Sequence, residues 1–308
     1  MQLRQVIGAS FWYIVILFLQ NACFFSSWAY DLDKLEELEL YNCENLITCP
    51  LFSSNMTHLH RLDFGDCAKM TKLDPSFGHL KNLTDLILRN CKSVKELPQE
   101  VSQLTSLIRL DLTGCYQISA LPEPVRHLKQ LNWLSLQRCS SLTEIPECIC
   151  YFLNLGKLDA SHCQCIAFLP NWIEKLESLF ELDLSWTAIE ELPHSIVSLE
   201  NLKFLSVSHC YRLKFLPWFP LSLTTPEARG CGKLGDVPGI MQMKLSRRLQ
   251  LRGCRSLEDS FLERLQEANF QDLQQFFIDF MGSIPIRLEL TIILLLWNLI
   301  GHLKSKPT

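Results

Sequence analysis

Fourteen cysteines and eight histidines in a chain of 308 residues supply the side chains that bind metals, form disulfides or act as nucleophiles. Nine of the cysteines share one address: Cys43, Cys67, Cys91, Cys115, Cys139, Cys163, Cys210, Cys231 and Cys254. The first six stand 24 residues apart, and Thr187 fills the next place in the series. A zinc site needs ligand pairs about two to four residues apart, and a disulfide needs Cβ atoms turned toward each other. The regular interval offers neither. It points to one buried slot, repeated along the chain. In such a slot a thiol is a small apolar group with a weak donor and threonine carries a hydroxyl donor. Both suit a nearby backbone carbonyl. Two C-x-C pairs, Cys148 with Cys150 and Cys163 with Cys165, make a zinc site conceivable, but they lack the C-x-x-C spacing of ribbon sites.

The histidines (His58, His60, His79, His127, His162, His194, His209 and His302) are scattered. There is no G-x-S-x-G turn to hold a strained nucleophile. The glycine run GCGKLG, Gly230 to Gly235, lacks the spacing and the hydroxyl residue of a phosphate-binding loop. The expectation is a protein that is not an enzyme, with no cofactor and no metal. The formal net charge of −4 gives no reason to expect nucleic-acid binding.

The element that positions the cysteines is a repeat. LTDLILRNCKSVKELP, LIRLDLTGCYQISALP and LNWLSLQRCSSLTEIP begin at Leu83, Leu107 and Leu131, and the same pattern starts at Leu35, Leu59, Leu155 and Leu179. The period then loosens through Leu202, Leu223 and Leu245, where Pro226 replaces a leucine, giving about ten units. Within L-x-x-L-x-L-x-x-C-x-x-L-x-x-L-P, the x-L-x-L-x stretch alternates with period two and reads as a short strand. Pro98, Pro122, Pro146, Pro170, Pro193 and Pro217 end the sheet, because proline cannot donate to a ladder. Val101, Val125, Ile149, Ile173 and Ile196 then turn inward under an irregular or short helical outer side. The fold expected is α/β, a solenoid horseshoe with a parallel concave sheet of about ten short strands.

This pattern resembles the leucine-rich-repeat domain of plant intracellular immune receptors, the nucleotide-binding disease-resistance proteins, from about Leu35 to Leu257. F-box-type repeats also place cysteine in the slot but continue into a longer helical segment. Secreted plant receptors carry asparagine there and a G-x-I-P step. The resemblance implies plant defence signalling and a protein partner, whether a pathogen effector, a host protein or a receptor module. Without a phosphate-binding loop, the chain would be a repeat-only relative or a fragment.

Partner-facing residues follow from the strand pattern. The place between the second and third leucines runs Glu39, Asp63, Ile87, Asp111, Ser135, Asp159, Asp183 and Ser206, an acidic stripe expected to face solvent. The place before the second leucine runs Glu37, Arg61, Asp85, Arg109, Trp133, Lys157, Glu181 and Phe204. Lateral neighbours there should pair their charges, as in Glu37–Arg61–Asp85–Arg109 and Lys157–Glu181, each worth a few tenths of a kcal/mol. Trp133, Trp186 and Phe204 should project from the concave side and, with Arg109, Lys157, Asp111, Asp159 and Asp183, form the binding site. The acidic stripe suggests a basic rim on the partner. The basic run Lys244, Arg247, Arg248, Arg252 and Arg255 reads as a solvated face.

The ends depart from the repeat. Residues 1–29 are an apolar segment with a Ser27-Trp28-Ala29 cleavage-like step, fitting a signal peptide, a membrane anchor or a cap on the first repeat. Asn55-Met56-Thr57 and Asn82-Leu83-Thr84 are glycosylation sequons that matter only on an exported chain. The repeat type therefore suggests the cytoplasm and the N-terminus suggests export or tethering. Residues 30–257 form the solenoid. Residues 258–308 read as a helical cap and an apolar tail, the latter too short to span a bilayer.

Overall fold

The computed structural model describes residues 33–238 and 249–257, together with one strand near the N-terminus. Ten strands of three residues form one parallel sheet in chain order. They are β1 (Tyr13–Val15), β2 (Glu37–Glu39), β3 (Arg61–Asp63), β4 (Asp85–Ile87), β5 (Arg109–Asp111), β6 (Trp133–Ser135), β7 (Lys157–Asp159), β8 (Glu181–Asp183), β9 (Phe204–Ser206) and β10 (Thr225–Glu227). Register is strict. Leu38, Leu62, Leu86, Leu110, Leu134, Leu158, Leu182 and Leu205 lie side by side, and Pro226 continues the row. These leucines, with those two residues on, line one continuous core. The leucine-rich-repeat solenoid is the fold observed.

Two details shift the expected repeat boundaries. β1 pairs with β2 in the same parallel register, Tyr13 opposite Glu37, so a strand precedes the unit that begins at Leu35. The rest of the 1–29 segment, and with it the choice among signal peptide, anchor and cap, lies outside the described residues. At the other end, a bridge joins Glu227 to Gln250. It sets Leu249 and Leu251 at the second and third leucine places, one residue later than a start at Leu245 would put them. Leu245 itself and the 258–308 cap and tail lie outside the described residues. No helix among the described residues is long and apolar enough to cross a membrane.

Behind the L-P steps from Pro98 to Pro193 the chain makes a short 3-10 turn, as at Gln99–Gln103, Glu147–Tyr151 and His194–Ser198. Val101, Val125, Ile149, Ile173 and Ile196 are buried beneath these turns. A single 3-10 turn of about 2 Å rise per residue returns the chain to the next strand within the 24-residue period. A longer helix would need more residues.

Polar atoms lock neighbouring repeats together at two corners, the first of them buried. At the first, each slot thiol donates to a carbonyl of the preceding repeat. Cys67 Sγ reaches Leu40 O at 3.0 Å, Cys91 reaches Phe64 O at 3.1 Å, Cys115 reaches Leu88 O at 3.0 Å, Cys139 reaches Leu112 O at 3.2 Å and Cys163 reaches Leu136 O at 3.0 Å. Cys210, Cys231 and Cys254 continue the row. Thr187 is different: its hydroxyl donates to Leu184 O in its own repeat at 2.7 Å. Only one residue separates Thr187 from the buried Ile189, where two separate Cys163 from Ile166. At the second corner, Asn82, Asn154 and Asn201 each donate to a carbonyl one repeat back, at 2.6 Å, 2.8 Å and 2.8 Å. Ser178 and Ser222 do the same with hydroxyls. The sequon asparagine Asn82 therefore carries a structural bond.

Burial raises most of the slot thiols, while Cys43 and Cys254 are lowered by a hydrogen bond with the neighbouring slot cysteine. Desolvation pushes Cys91 and Cys163 up to about 12 and Cys210 up to about 11. The unfolded chain would release these protons near the ordinary thiol value of about 8.5. Stability from this source is therefore complete below about pH 8.5 and falls as pH rises toward about 12, because only the unfolded state ionises. Denaturant unfolding across that range is expected to show this loss, with a shallower alkaline limb for Cys163→Thr. Cys115→Ala leaves the Leu88 carbonyl with only the Cys91 N–H and is expected to cost about 0.5–1.5 kcal/mol, read as a shift of the urea midpoint.

Candidate functional site

The concave face is built from the first and third residues of each strand and from the two residues that follow the third leucine. The first-residue row is half-buried throughout: Glu37, Arg61, Asp85, Arg109, Trp133, Lys157, Glu181 and Phe204. Lys157 Nζ meets Glu181 Oε1 at 2.5 Å, as the register requires. The expected Glu37–Arg61 pair is also present, but beyond it the alternation gives way to local pairing. Arg61 contacts Glu37 at 3.9 Å but also Glu39 at 3.5 Å and its own-strand Asp63 at 3.1 Å. Asp85 accepts from the Thr84 hydroxyl at 2.8 Å. Arg109 turns to Asp111 at 3.2 Å and lies over the Trp133 ring, 4.1 Å from its centroid. Between β5 and β6 a cation–π contact thus takes the place of an ion pair.

The acidic stripe is not a free face. Asp111 is 0% exposed, as Ser135 and Ser206 nearly are. Its carboxylate accepts from the Arg89 guanidinium, the Arg109 guanidinium and the Thr113 hydroxyl, the last at 2.7 Å. Asp63, Asp159 and Asp183 accept the backbone N–H two residues on, at 2.8 Å, 2.9 Å and 2.9 Å. These are Asx turns: the short carboxylate satisfies an N–H where the chain leaves the ladder. Burial also raises the Asp183 carboxyl above its ordinary range. The expectation of a solvent-facing acidic stripe is corrected on this ground. A period-two pattern identifies the face of a strand but not a side chain that folds back along it.

The turn that these carboxylates hold was not legible in the pattern. In every repeat the residue before the slot has positive φ. Asn42, Asp66, Asn90, Arg138, His162, Trp186 and His209 lie between 56° and 61°, and Gly114, Gly230 and Gly253 between 68° and 83°. Glycine suits this conformation and Asn or Asp tolerate it, whereas Arg, His and Trp are costly there. A Cβ on Gly230 would stand 2.5 Å from the His209 ring. The backbone N–H of each of these residues up to Gly230 donates across to the next repeat, as from Trp186 to Ser208 O at 2.9 Å.

Trp186 therefore sits in this turn row, not on the strand row with Trp133 and Phe204. It forms a stack. His162 lies 5.6 Å from it at 8°, and His209 lies 4.2 Å from it at 16°. Trp186 remains 43% exposed. Phe180, one residue before β8, is exposed at the strand-entry edge, and a Cβ on Gly156 would meet its ring at 2.6 Å. His162, His209 and Phe180 were missed, although a count at 24-residue offsets from Trp186 reaches His162 directly.

Among the described residues no cluster of three metal-ligating side chains occurs. Cys148 and Cys150 are buried in their turn, Cys163 holds its ladder bond and Cys165 is exposed. Lys244, Arg247 and Arg248 lie outside the described residues, while Arg252 and Arg255 are exposed.

Residues 50–131 match the family model described as Zer-1-like, leucine-rich repeats. No curated protein matches the chain significantly. Among solved structures, the leucine-rich repeat domain of the type III effector XopL is similar, with 21% identity, 72% of this chain and 70% of that chain covered, and a TM-score of 0.51. A leucine-rich-repeat protein of Leptospira interrogans has 17% identity, covers 80% of this chain and 95% of its own, and gives a TM-score of 0.40. The XopL likeness supports the fold. Domains of this kind generally bind proteins and do not catalyse reactions.

Asp111→Ala removes the acceptor for two guanidinium groups and a turn hydroxyl. It is expected to cost about 1–3 kcal/mol in denaturant unfolding, with Asp159→Ala costing less. Trp186→Asn suits the left-handed backbone and is expected to keep stability within about 1 kcal/mol of the parent.

Proposed function

We propose that the chain is a non-catalytic protein-recognition module whose partner docks on the C-terminal half of the concave face, and that it acts in defence signalling of the plant nucleotide-binding receptor type. The observation that carries the docking site is the aromatic group formed by half-buried Trp133 and Phe204 with the exposed Trp186 and its stack, on a sheet where Asp159 and Asp183 are already committed to internal bonds. Aromatic side chains held rigid by their neighbours lose little entropy on binding and contribute much of interface energy. The defence assignment rests on the 24-residue cysteine-and-L-P repeat.

The second reading is a set of substrate-recognition repeats of a ubiquitin ligase, favoured by the Zer-1-like match over residues 50–131. A secreted or membrane-tethered receptor is a third, resting on the apolar 1–29 segment and discriminated by glycosidase-sensitive mass at Asn55.

A photo-crosslinking residue at Phe204 tests the site in cells. It is expected to capture a protein that the same residue at Arg126, on the outer side, does not. Trp133→Ala with Trp186→Asn should remove that capture while the protein stays folded. Capture from Arg126 alone, or capture unchanged by the double variant, would sink the concave assignment. A captured nucleotide-binding receptor module favours defence; a ligase scaffold favours the second reading.

A further inference from the structure

We infer that the turn row of the C-terminal half is a docking strip for an acidic peptide segment of a protein partner, a reading that deepens the concave site above and rests on it. The row has two places per repeat, the residue with positive φ and the one before it. From Gln137 to Gly253 those places hold Arg138, His162, Trp186, His209, Arg229 and Arg252, and otherwise only serine, glutamine and glycine. No carboxylate occurs among them over six successive repeats. Arg138, Arg229 and Arg252 are exposed.

The stack sharpens the preference. Nearly parallel rings on either side cover the two faces of the Trp186 indole, so solvent meets ring edges. An aromatic edge is the positive part of the quadrupole, and the indole N–H only donates. Edges and guanidinium groups along one line attract carboxylates and carbonyls. The opposing charges nearby are the Asx carboxylates of Asp159 and Asp183, which hold backbone N–H groups, and Glu227 on β10. The partner charge that fits is therefore opposite to the one the acidic stripe suggested. It also has the same sign as the net charge of −4, so a preference for acidic peptide would have to come from this local strip.

At roughly 4.8 Å per repeat and roughly 3.3 Å per extended residue, about eight residues of peptide would span the strip. The test uses two fluorescein-labelled peptides of that length, one glutamate-rich and one lysine-rich, in polarisation titrations with the full chain. The glutamate-rich peptide is expected to bind, to weaken as salt rises, and to lose about tenfold or more in affinity with Arg138→Glu and Arg229→Glu together. Arg126→Glu on the outer side should leave its binding unchanged. Equal binding of both peptides or of neither, or affinity untouched by the double reversal, overturns the inference. If the crosslink from Phe204 persists under the same double reversal, the concave reading stands and only the acidic strip falls.

Discussion

Every repeat ends its strand after three residues, and there a buried carbonyl accepts from the slot thiol of the next repeat, from Cys67 to Leu40 through Cys254 to Ala228. Carbonyls such as Leu88 and Leu112 also hold a backbone N–H of their own repeat, so the thiol adds the bond that crosses to the neighbour. Each such bond contributes about 0.5–1.5 kcal/mol, and it recurs along a molecule in which each unit contacts only its neighbours. The bond survives where the interval shortens, as at Cys210, Cys231 and Cys254, so it tracks the corner of each repeat and not the residue count between corners. Where one residue is missing, after Thr187, the hydroxyl turns to its own Leu184 carbonyl instead.

The same exit from the strand produces the second requirement, a donor to be satisfied on the solvent side. Asp63, Asp159 and Asp183 meet it with an Asx turn. Asp111 goes further and gathers two arginines. In the repeats that carry them, the aspartates are thus structural partners of the cysteines, one serving the N–H and the other the carbonyl.

Periodicity in the sequence was enough for the strand row, the core leucines, the inward valines and isoleucines and the buried slot, since each depends on spacing alone. Lys157–Glu181 follows from register and is present. Asp111 was misplaced for a different reason, and the turn that holds Trp186 was not seen. Alternation says which face a side chain leaves from, not whether it bends back to the backbone. A left-handed residue is invisible to a hydrophobic pattern unless it is glycine, and here glycine occupies that place only at Gly114, Gly230 and Gly253. The pairing of Arg109 with Trp133 likewise required the side chains themselves, because spacing offered Arg109 an equally placed carboxylate at Asp85.

The choice of side chain in the turn row carries an argument of its own. Left-handed backbone costs an ordinary L-residue roughly 1–2 kcal/mol, less for asparagine and least for glycine. The N-terminal repeats take the inexpensive residues, Asn42, Asp66, Asn90 and Gly114. The next four take Arg138, His162, Trp186 and His209. The turn hydrogen bonds are present in both halves, from Asn90 to Thr113 O at 2.7 Å as from His162 to Ser185 O at 2.7 Å, so the fold asks for nothing that asparagine would not supply. Stacking contributes about 0.5–1.5 kcal/mol per ring pair, which offsets part of the cost at Trp186 and its neighbours. It offsets none at Arg138, whose side chain is exposed. Strain kept where scaffold needs do not explain it marks a site of function more often than an accident of packing, and here it coincides with the exposed aromatic and cationic row.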